Sequence, residues 1–366
     1  MKTITEIEAE LRAFDPMKYG RSRNFLNGSV TALGPYISRG IIDTRWVMDL
    51  LLEQGWSYHQ AKPFLQQLAW RDFYQLVWQH KGDAINQDIR QEQVTAQREG
   101  VPAALLGAST GIDAIDEGLR NLFETGLMHN HLRLYTAFLA CHMARSHWRE
   151  SARFLYAHLL DGDWASNALS WQWVAGTFSS KPYVANQENI NHYTSSHQRQ
   201  TYLDKAYEEL LEEGIPTVLA EVRPFDLKTE LPASEPLQWN ANLPLLVYNY
   251  YHLSPTWRCD QAANRVLLLE PEHFEKYPVS SKVLSFALDA AALIPGLQTF
   301  VGSFNQLKQV AQGSTIMYRE HVLARHYQGE PDPRRLMIDE VQGDFRSFFA
   351  YWKRLEPKLM KTFSKR

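Results

Sequence analysis

Cysteine is nearly absent from this 366-residue chain: Cys141 and Cys259 stand far apart. Two such residues supply neither a metal-site spacing nor a disulfide framework, so a reducing cytoplasm is the expected compartment. No apolar run approaches the ~20 residues that a membrane helix requires. The first stretch, Met1 to Phe14, is charged and amphipathic and lacks the apolar core of a secretory signal. A soluble protein without a membrane partner is the expectation. A surplus of one charge sign is also missing, since 38 Lys+Arg face 41 Asp+Glu for a formal net charge of -3. That balance exerts no global pull on nucleic acid or anionic lipid, and any such contact must come from a local patch. Walker-loop and dinucleotide-fingerprint spacings do not occur, nor do internal repeats or low-complexity tracts.

Tryptophan, by contrast, is plentiful. Eleven occur, within 12% aromatic, 45% hydrophobic and 22% charged residues overall. Such usage serves a large aromatic core or stacking surfaces for a planar ligand, and composition does not choose between them. Ile4, Ile7 and Leu11 share a helical face, with Thr3 or Thr5 as cap and Pro16 as terminator. Tyr19 to Ile42 is rich in small and hydroxyl residues, which can present N–H groups to an anion or simply form a turn and cap. Asp43–Gly55 and Ser57–His80 read as helices. In the second, Gln67, Trp70, Arg71 and Tyr74 crowd one side, and a tryptophan at that spacing is ordinarily core. Lys81 to Gly107 is polar and glutamine-rich and reads as a surface excursion. Helices are expected over Asp116–Gly126, with Gly126 as C-cap, and over Met128–Trp148, Arg149–Leu160 and Tyr202–Glu213. Residues 1–215 form one helical domain in this reading. Residues 216–242, with Pro216, Pro224, Pro232 and Pro236, form a linker, and residues 243–366 a small α/β region. In that region Val266–Leu269, Thr299–Phe304 and Thr315–Tyr318 read as strands. They alternate with helices at Ser280–Leu293 and Asn305–Gln312, an order that predicts a small parallel sheet. Gly329–Pro333 should break the pattern before a last helix over Asp344–Leu355.

The chemistry concentrates between Thr110 and Asn186. Asp161 and Asp163 flank a glycine at a helix junction, where they can bind a metal, pair with arginine or cap the next helix; capping suits Asp163. Arg133 lies on a helix that would pack nearby, and a buried Arg–Asp pair would offer fixed donors to a heterocycle. His129 and His131 suggest a metal, yet positions i and i+2 do not share a helical face and no further ligands follow at zinc-like spacing. Trp164, Asn167 and Trp171 fall on one face, with Trp173 roughly opposite. Trp148 lies on the neighbouring helix, so Trp148 and Trp171 can approach through the Asp-Gly-Asp turn. These residues together point to a large planar cofactor carrying a phosphate.

Five linked motifs then resemble the FAD-binding domain of photolyases and cryptochromes. They are Thr110-Gly111-Ile112-Asp113-Ala114-Ile115-Asp116, Thr125 through Arg133, Trp148-Arg149-Glu150, Leu159 through Asp163, and Trp171-Gln172-Trp173. Leu33 through Ile37 with Gly40, and Leu68 through Tyr74, fit as well. The resemblance covers roughly Tyr19 to Asn191. It implies a mainly α protein: an all-helical photolyase/cryptochrome-type FAD-binding domain, here followed by a smaller α/β region with a short parallel sheet. By the resemblance, Tyr19, Ser29, Thr31 and Arg71 surround the phosphates of a folded-back FAD. Asn130, Arg133, Asp161, Asp163 and Asn167 surround its isoalloxazine, with Arg133–Asp161 as ion pair and Asn167 near the reducible nitrogen. Trp171 and then Trp148 form the inner electron relay. Trp70 and Trp173 wall the pocket that, in repair enzymes, receives a flipped-out pyrimidine dimer.

The implied function is light-driven electron transfer from reduced flavin to UV-damaged DNA, as in a DNA photolyase. The alternative is a blue-light photoreceptor or redox protein of the same fold that signals to a protein partner. Gln67 stands where repair enzymes for cyclobutane dimers usually carry glutamate, and Leu134 where they usually carry methionine. Both departures favour the photoreceptor. The outermost relay tryptophan would fall near Thr95, where there is none. Ser179 to Thr194 looks like the bacterial iron–sulfur branch, but its cluster cysteines are missing and no cluster is expected. The family's α/β antenna domain precedes this region, whereas here a short helix precedes Tyr19; the second chromophore is therefore unassigned. Lys181, His197, Arg199 and Lys205 are the candidates for DNA phosphates.

Overall fold

The structure is a computed structural model that describes residues 1–179, 181–212 and 214–364. In chain order the helices begin with α1 (Ile4–Arg12), α2 (Pro16–Ser22), α3 (Gly34–Ser38), α4 (Thr44–Glu53) and α5 (Tyr58–Lys81). Then come α6 (Ala103–Leu106), α7 (Asp113–Thr125), α8 (Asn130–Phe138), α9 (Trp148–His158), α10 (Trp164–Ala175), α11 (Gln187–Thr194) and α12 (Tyr207–Leu210). The last four are α13 (Pro271–Lys276), α14 (Ser281–Ala292), α15 (Phe304–Val310) and α16 (Phe348–Phe363). Among the described residues, no helix is long and apolar enough to cross a membrane.

Two compact units emerge. One comprises Met1–Pro16, Thr31–His80 and Lys228–Arg366; the other comprises Met17–Val30 and Lys81–Leu227. This division differs from a cut at the proline-rich stretch 216–242, because α5 is committed to the α/β unit. Its Trp78 meets Tyr251, Tyr277 and His321 edge-on. The buried Asp72 accepts from Thr44 Oγ1 at 2.9 Å and from the Met337 amide at 2.9 Å. Removing α5 would expose the Tyr251, Tyr277 and His321 rings and leave Thr44 Oγ1 and the Met337 amide without their acceptor.

Five strands build this unit's sheet: β3 (Leu245–Tyr248), β4 (Asn264–Leu269), β5 (Leu297–Val301), β6 (Ile316–Arg319) and β7 (Glu330–Asp332). All pairings are parallel, in the order β5-β4-β3-β6-β7. The expected parallel sheet therefore forms, with two more strands than periodicity indicated. β3 is a four-residue apolar run buried at every position, too short to carry a period. β7 contains Pro331, which reads as a breaker; it lies at the sheet edge, where a missing N–H is tolerated. Leu245, Val247, Val266 and Leu268 face Phe304, Leu307 and Tyr327 in one apolar core.

The helical unit holds α7 to α11 and a two-stranded antiparallel ladder of β1 (Val101–Pro102) and β2 (Val222–Arg223). Several helix limits differ from expectation. The stretch Met128–Trp148 is not one helix: α8 passes into a π turn over Leu139–Met143, and the chain then breaks with Arg145 at φ 52°. A new helix starts at Trp148 because His147 caps it, its Nδ1 accepting from the Arg149 amide. Tyr202–Glu213 shrinks to α12, and Glu213 lies outside the described residues. The final helix starts later and runs further than Asp344–Leu355, with Ser347 as its cap. Thr3 does cap α1, in a reciprocal capping box with Glu6, and Gly126 closes α7 at φ 75°.

Two buried histidines, His252 and His321, and a third, His273, whose ring nitrogens are both buried, make the α/β unit acid-sensitive. Burial pulls His252 and His273 down to about 3 and His321 well below an ordinary imidazole. The unfolded chain takes these protons near 6.5 and the native chain only far lower. The resulting stability is present above pH ~6.5 and is lost as pH falls toward about 3. Neither ring nitrogen of His273 has a hydrogen-bond partner among the described residues. His273→Leu should therefore shift urea unfolding in the variant's favour as pH drops, by about 2 kcal/mol at pH 5 relative to pH 7.5. Parallel pH profiles for variant and parent would contradict this assignment.

Candidate functional site

The Asp161-Gly162-Asp163 turn joins α9 to α10. Arg133, on α8, sets its Nη2 2.9 Å from both Asp161 oxygens, while its Nε donates to the Met128 carbonyl at 2.9 Å. The guanidinium is thus held at two points. Arg133 and Asp161 keep side-chain exposures of 26% and 19%, so a ligand can still reach the pair. Asp163 is buried and caps α10, accepting from the Ser166 amide at 2.8 Å. Asn167, one turn further, donates Nδ2 to the Ala152 carbonyl at 2.8 Å, and Asn130 begins α8 with an exposed side chain.

His129 caps α8 rather than lying within it. His131 stacks on Tyr193 at 4.8 Å, and burial pushes its imidazole down to about 4, which keeps it neutral. Among the described residues, no group of three or more His, Cys, Asp or Glu side chains could hold a metal ion.

Trp171 and Trp148 are both buried, on α10 and α9, which pack together. Trp173 is exposed and tilts against Tyr183 at 5.6 Å. The segment read as a surface excursion is instead a liner of this aromatic core. Gln93 is buried, donates Nε2 to the carbonyls of Cys141 and Ser146, and accepts from the Trp148 amide at 2.9 Å. Asp88 Oδ1 accepts from the Trp148 indole Nε1 at 2.7 Å. Thr95 donates to the Cys141 carbonyl where the outermost tryptophan was sought. Asp88 and Gln93 were missed because their partners lie about sixty residues away and no local period marks them.

Tyr19 lies on α2 with its phenol pushed up by burial. The Ser29 amide donates to Ser22 Oγ at 2.9 Å. Thr31, Trp70 and Arg71 belong to the α/β unit. There Arg71 donates to Ser38 Oγ and to the Ile37 carbonyl, each at 3.2 Å. The Trp70 ring is stacked face to face on Phe348 of α16, with centroids 3.7 Å apart and planes 8° apart. Of the proposed phosphate ligands, Lys181, His197 and Arg199 are exposed, while Lys205 is half-buried. Arg199 pairs with Asp204 at 3.6 Å.

Residues 64–211 match the family model for the FAD binding domain of DNA photolyase. Over this segment the chain is similar to the FAD binding domain of DNA photolyase. Its curated relatives include deoxyribodipyrimidine photo-lyases from Alkalihalophilus pseudofirmus, 31% identical over 43% of this chain and 34% of the relative, and from Streptomyces griseus, 34% identical over 43% and 35%. A solved cryptochrome from Synechocystis aligns with 52% of this chain and 42% of its own at 22% identity, with a TM-score of 0.45. The chain thus spans about a third of the length of the curated relatives it matches. The helical unit's donor set fits the family's cofactor. A doubly anchored cation, an exposed amide on Asn130 and an anchored amide on Asn167 suit a planar heterocycle that gains negative charge. In addition, Ser166 Oγ is buried without a partner among the described residues.

Gln93 joins the π turn, the chain break and α9 through one side chain. Gln93→Leu should cost about 3 kcal/mol, because it strands a buried amide and two carbonyls. Chemical denaturation of the variant measures this, and a loss below 1 kcal/mol would show that these groups find other partners.

Proposed function

We propose that this chain binds FAD and carries out light-driven electron transfer from the reduced flavin to pyrimidine dimers in UV-damaged DNA. The observation that carries the reading is the Arg133–Asp161 pair, both of whose side chains stay partly exposed, set beside the Asp163 cap and two buried tryptophans. Asn130, Arg133, Asp161, Asp163 and Asn167 would hold the isoalloxazine, with Tyr19, Ser29, Thr31 and Arg71 assigned to the phosphates. When bound, the flavin supplies one-electron chemistry driven by light. The chain's own part is to hold a positive charge against it, exclude water with α9 and α10, and relay electrons through Trp171 and Trp148. Trp70 and Trp173 would receive the flipped lesion, and Lys181, His197, Arg199 and Lys205 the flanking phosphates.

A second reading, a blue-light photoreceptor or redox protein acting on a protein partner, is favoured by a specific observation. Phe348 covers one face of Trp70, the aromatic surface a lesion would need, and Gln67 supplies no acid at the lesion. Cytoplasmic location suits either reading.

The test is the absorption spectrum of the purified protein before and after blue light, with and without dimer-containing DNA. Bound flavin that bleaches reversibly while dimers disappear supports repair. Bleaching without dimer loss selects the photoreceptor, and absence of flavin overturns both. Arg133→Ala should lower flavin occupancy at least about tenfold, since removal of the cation leaves Asp161 unpaired in the pocket.

A further inference from the structure

Trp148 is not only a buried ring in the helical unit. Its indole Nε1 donates to Asp88 Oδ1 at 2.7 Å, a charge-assisted bond at the short end of the N–H···O range. The carboxylate is fixed from two other directions. Its Oδ2 accepts from the Gln93 amide at 2.8 Å, and its Oδ1 also accepts from His147 Nε2 at 3.2 Å. Because His147 Nδ1 accepts from the Arg149 amide, the imidazole proton sits on Nε2 and points at Asp88. The Trp148 amide is itself held by Gln93 Oε1. Ring, carboxylate and imidazole are therefore locked in one geometry. Trp148 is fully buried, whereas the Asp88 and His147 side chains keep 16% and 18% exposure. The one polar exit from the indole, among the bonds described, leads through Asp88 toward water.

A tryptophan that loses an electron becomes a strongly acidic N–H donor. In a dry core its positive charge is costly, and passing the proton to a neighbouring carboxylate neutralises both groups. We propose that Asp88 is the proton acceptor for oxidised Trp148, and that Trp148 with Asp88 forms the terminus of the electron relay. This rests on the flavin reading above, which supplies the oxidant as a light-excited cofactor. One electron leaves Trp148 for oxidised Trp171, and the Nε1–H bond then breaks. The proton passes to Asp88 Oδ1, leaving a neutral indolyl radical and a carboxylic acid. A soluble thiolate restores Trp148 by giving up one electron and becoming a thiyl radical, and the proton returns from Asp88 to Nε1. The arrangement explains how a relay can end at a buried ring where Thr95 replaces a further tryptophan: proton transfer traps the hole, so no third ring is required.

The decisive experiment is time-resolved absorption of the flavin-loaded protein after a blue flash, comparing parent, Asp88→Asn, Asp88→Glu and Trp148→Phe. The parent should form the neutral tryptophan radical at a rate independent of buffer concentration and slowed in deuterium oxide. Asp88→Asn keeps a hydrogen-bond acceptor but removes the base, and should slow deprotonation by roughly a hundredfold. Asp88→Glu should restore most of it, which a merely structural role would not predict. Independently of light, the Trp148 indole proton, assigned with Trp148→Phe, should resonate downfield in the parent and move upfield in Asp88→Asn. A radical that stays cationic in the parent, or a rate that follows buffer concentration, overturns the assignment of Asp88 while leaving the flavin reading standing. Absence of flavin and of any tryptophan radical overturns both. Should Asp88→Asn fail to fold, the buffer and isotope dependence of the parent decides alone.

Discussion

The turn between α9 and α10 commits both its carboxylates before any ligand arrives. Asp161 neutralises Arg133, and Asp163 satisfies an orphan amide at the start of α10. Gly162 between them is required by close approach: a Cβ there would sit 2.8 Å from the Leu159 carbonyl and 2.9 Å from that of Tyr156. The turn can therefore tighten until α10 folds back along α9, which brings Trp148 and Trp171 onto adjacent helices. Lose the turn, and the ion pair, the cap and the aromatic neighbours separate together. The proposed cofactor chemistry depends on this single structural economy.

Around that turn the helical unit is held by polar side chains acting at long range. Gln93 and Gln172 are buried amides that serve several backbone groups each. Gln172 donates to the Ile85 carbonyl and accepts from the Ile89 amide and Thr177. The chain break at 144–147 survives burial because Gln93 Nε2 donates to the Ser146 carbonyl and Arg98 Nε to the Ala144 carbonyl, while the amides of Ser146 and His147 donate to the carbonyls of Ala140 and Arg98. The same logic makes the segment 87–98 a liner despite its polar composition. Satisfied amides are compatible with a core; unsatisfied ones are not.

The α/β unit shows a different solution. Its central strand β3 leads into Asn249, Tyr250, Tyr251 and His252, all buried, and there the fully buried Arg39 lies over the Tyr250 ring at 3.9 Å and near Tyr251 at 5.0 Å. Stacking on aromatic faces is one of the few ways to keep a guanidinium in a core. In a doubly wound sheet the crevice outside the carboxyl ends of the strands is where ligands usually bind. Here aromatic and imidazole side chains fill the end of β3, which ties the sheet to α5 through Trp78 and makes the unit respond to acid.

What the sequence alone determined is whatever depends on neighbours within a helical turn or on a strong period. The Thr3 cap, the Gly126 terminus and the Asp163 cap belong there, because their energetics are settled by residues three or four positions apart, and the alternation of strand and helix periods pointed to a parallel sheet. Five linked motifs in fixed order also carried the resemblance of residues 64–211 to the FAD binding domain of DNA photolyase, since such patterns are too specific to arise from core packing. Tertiary structure alone decided the rest. Trp148 finds Asp88 across 60 positions and Asp72 finds Met337 across 265, and β7 pairs at an edge despite its proline. Nothing local favours these partners. They are chosen because burial makes an unpaired polar group costly, and only the finished fold determines which group lies within reach.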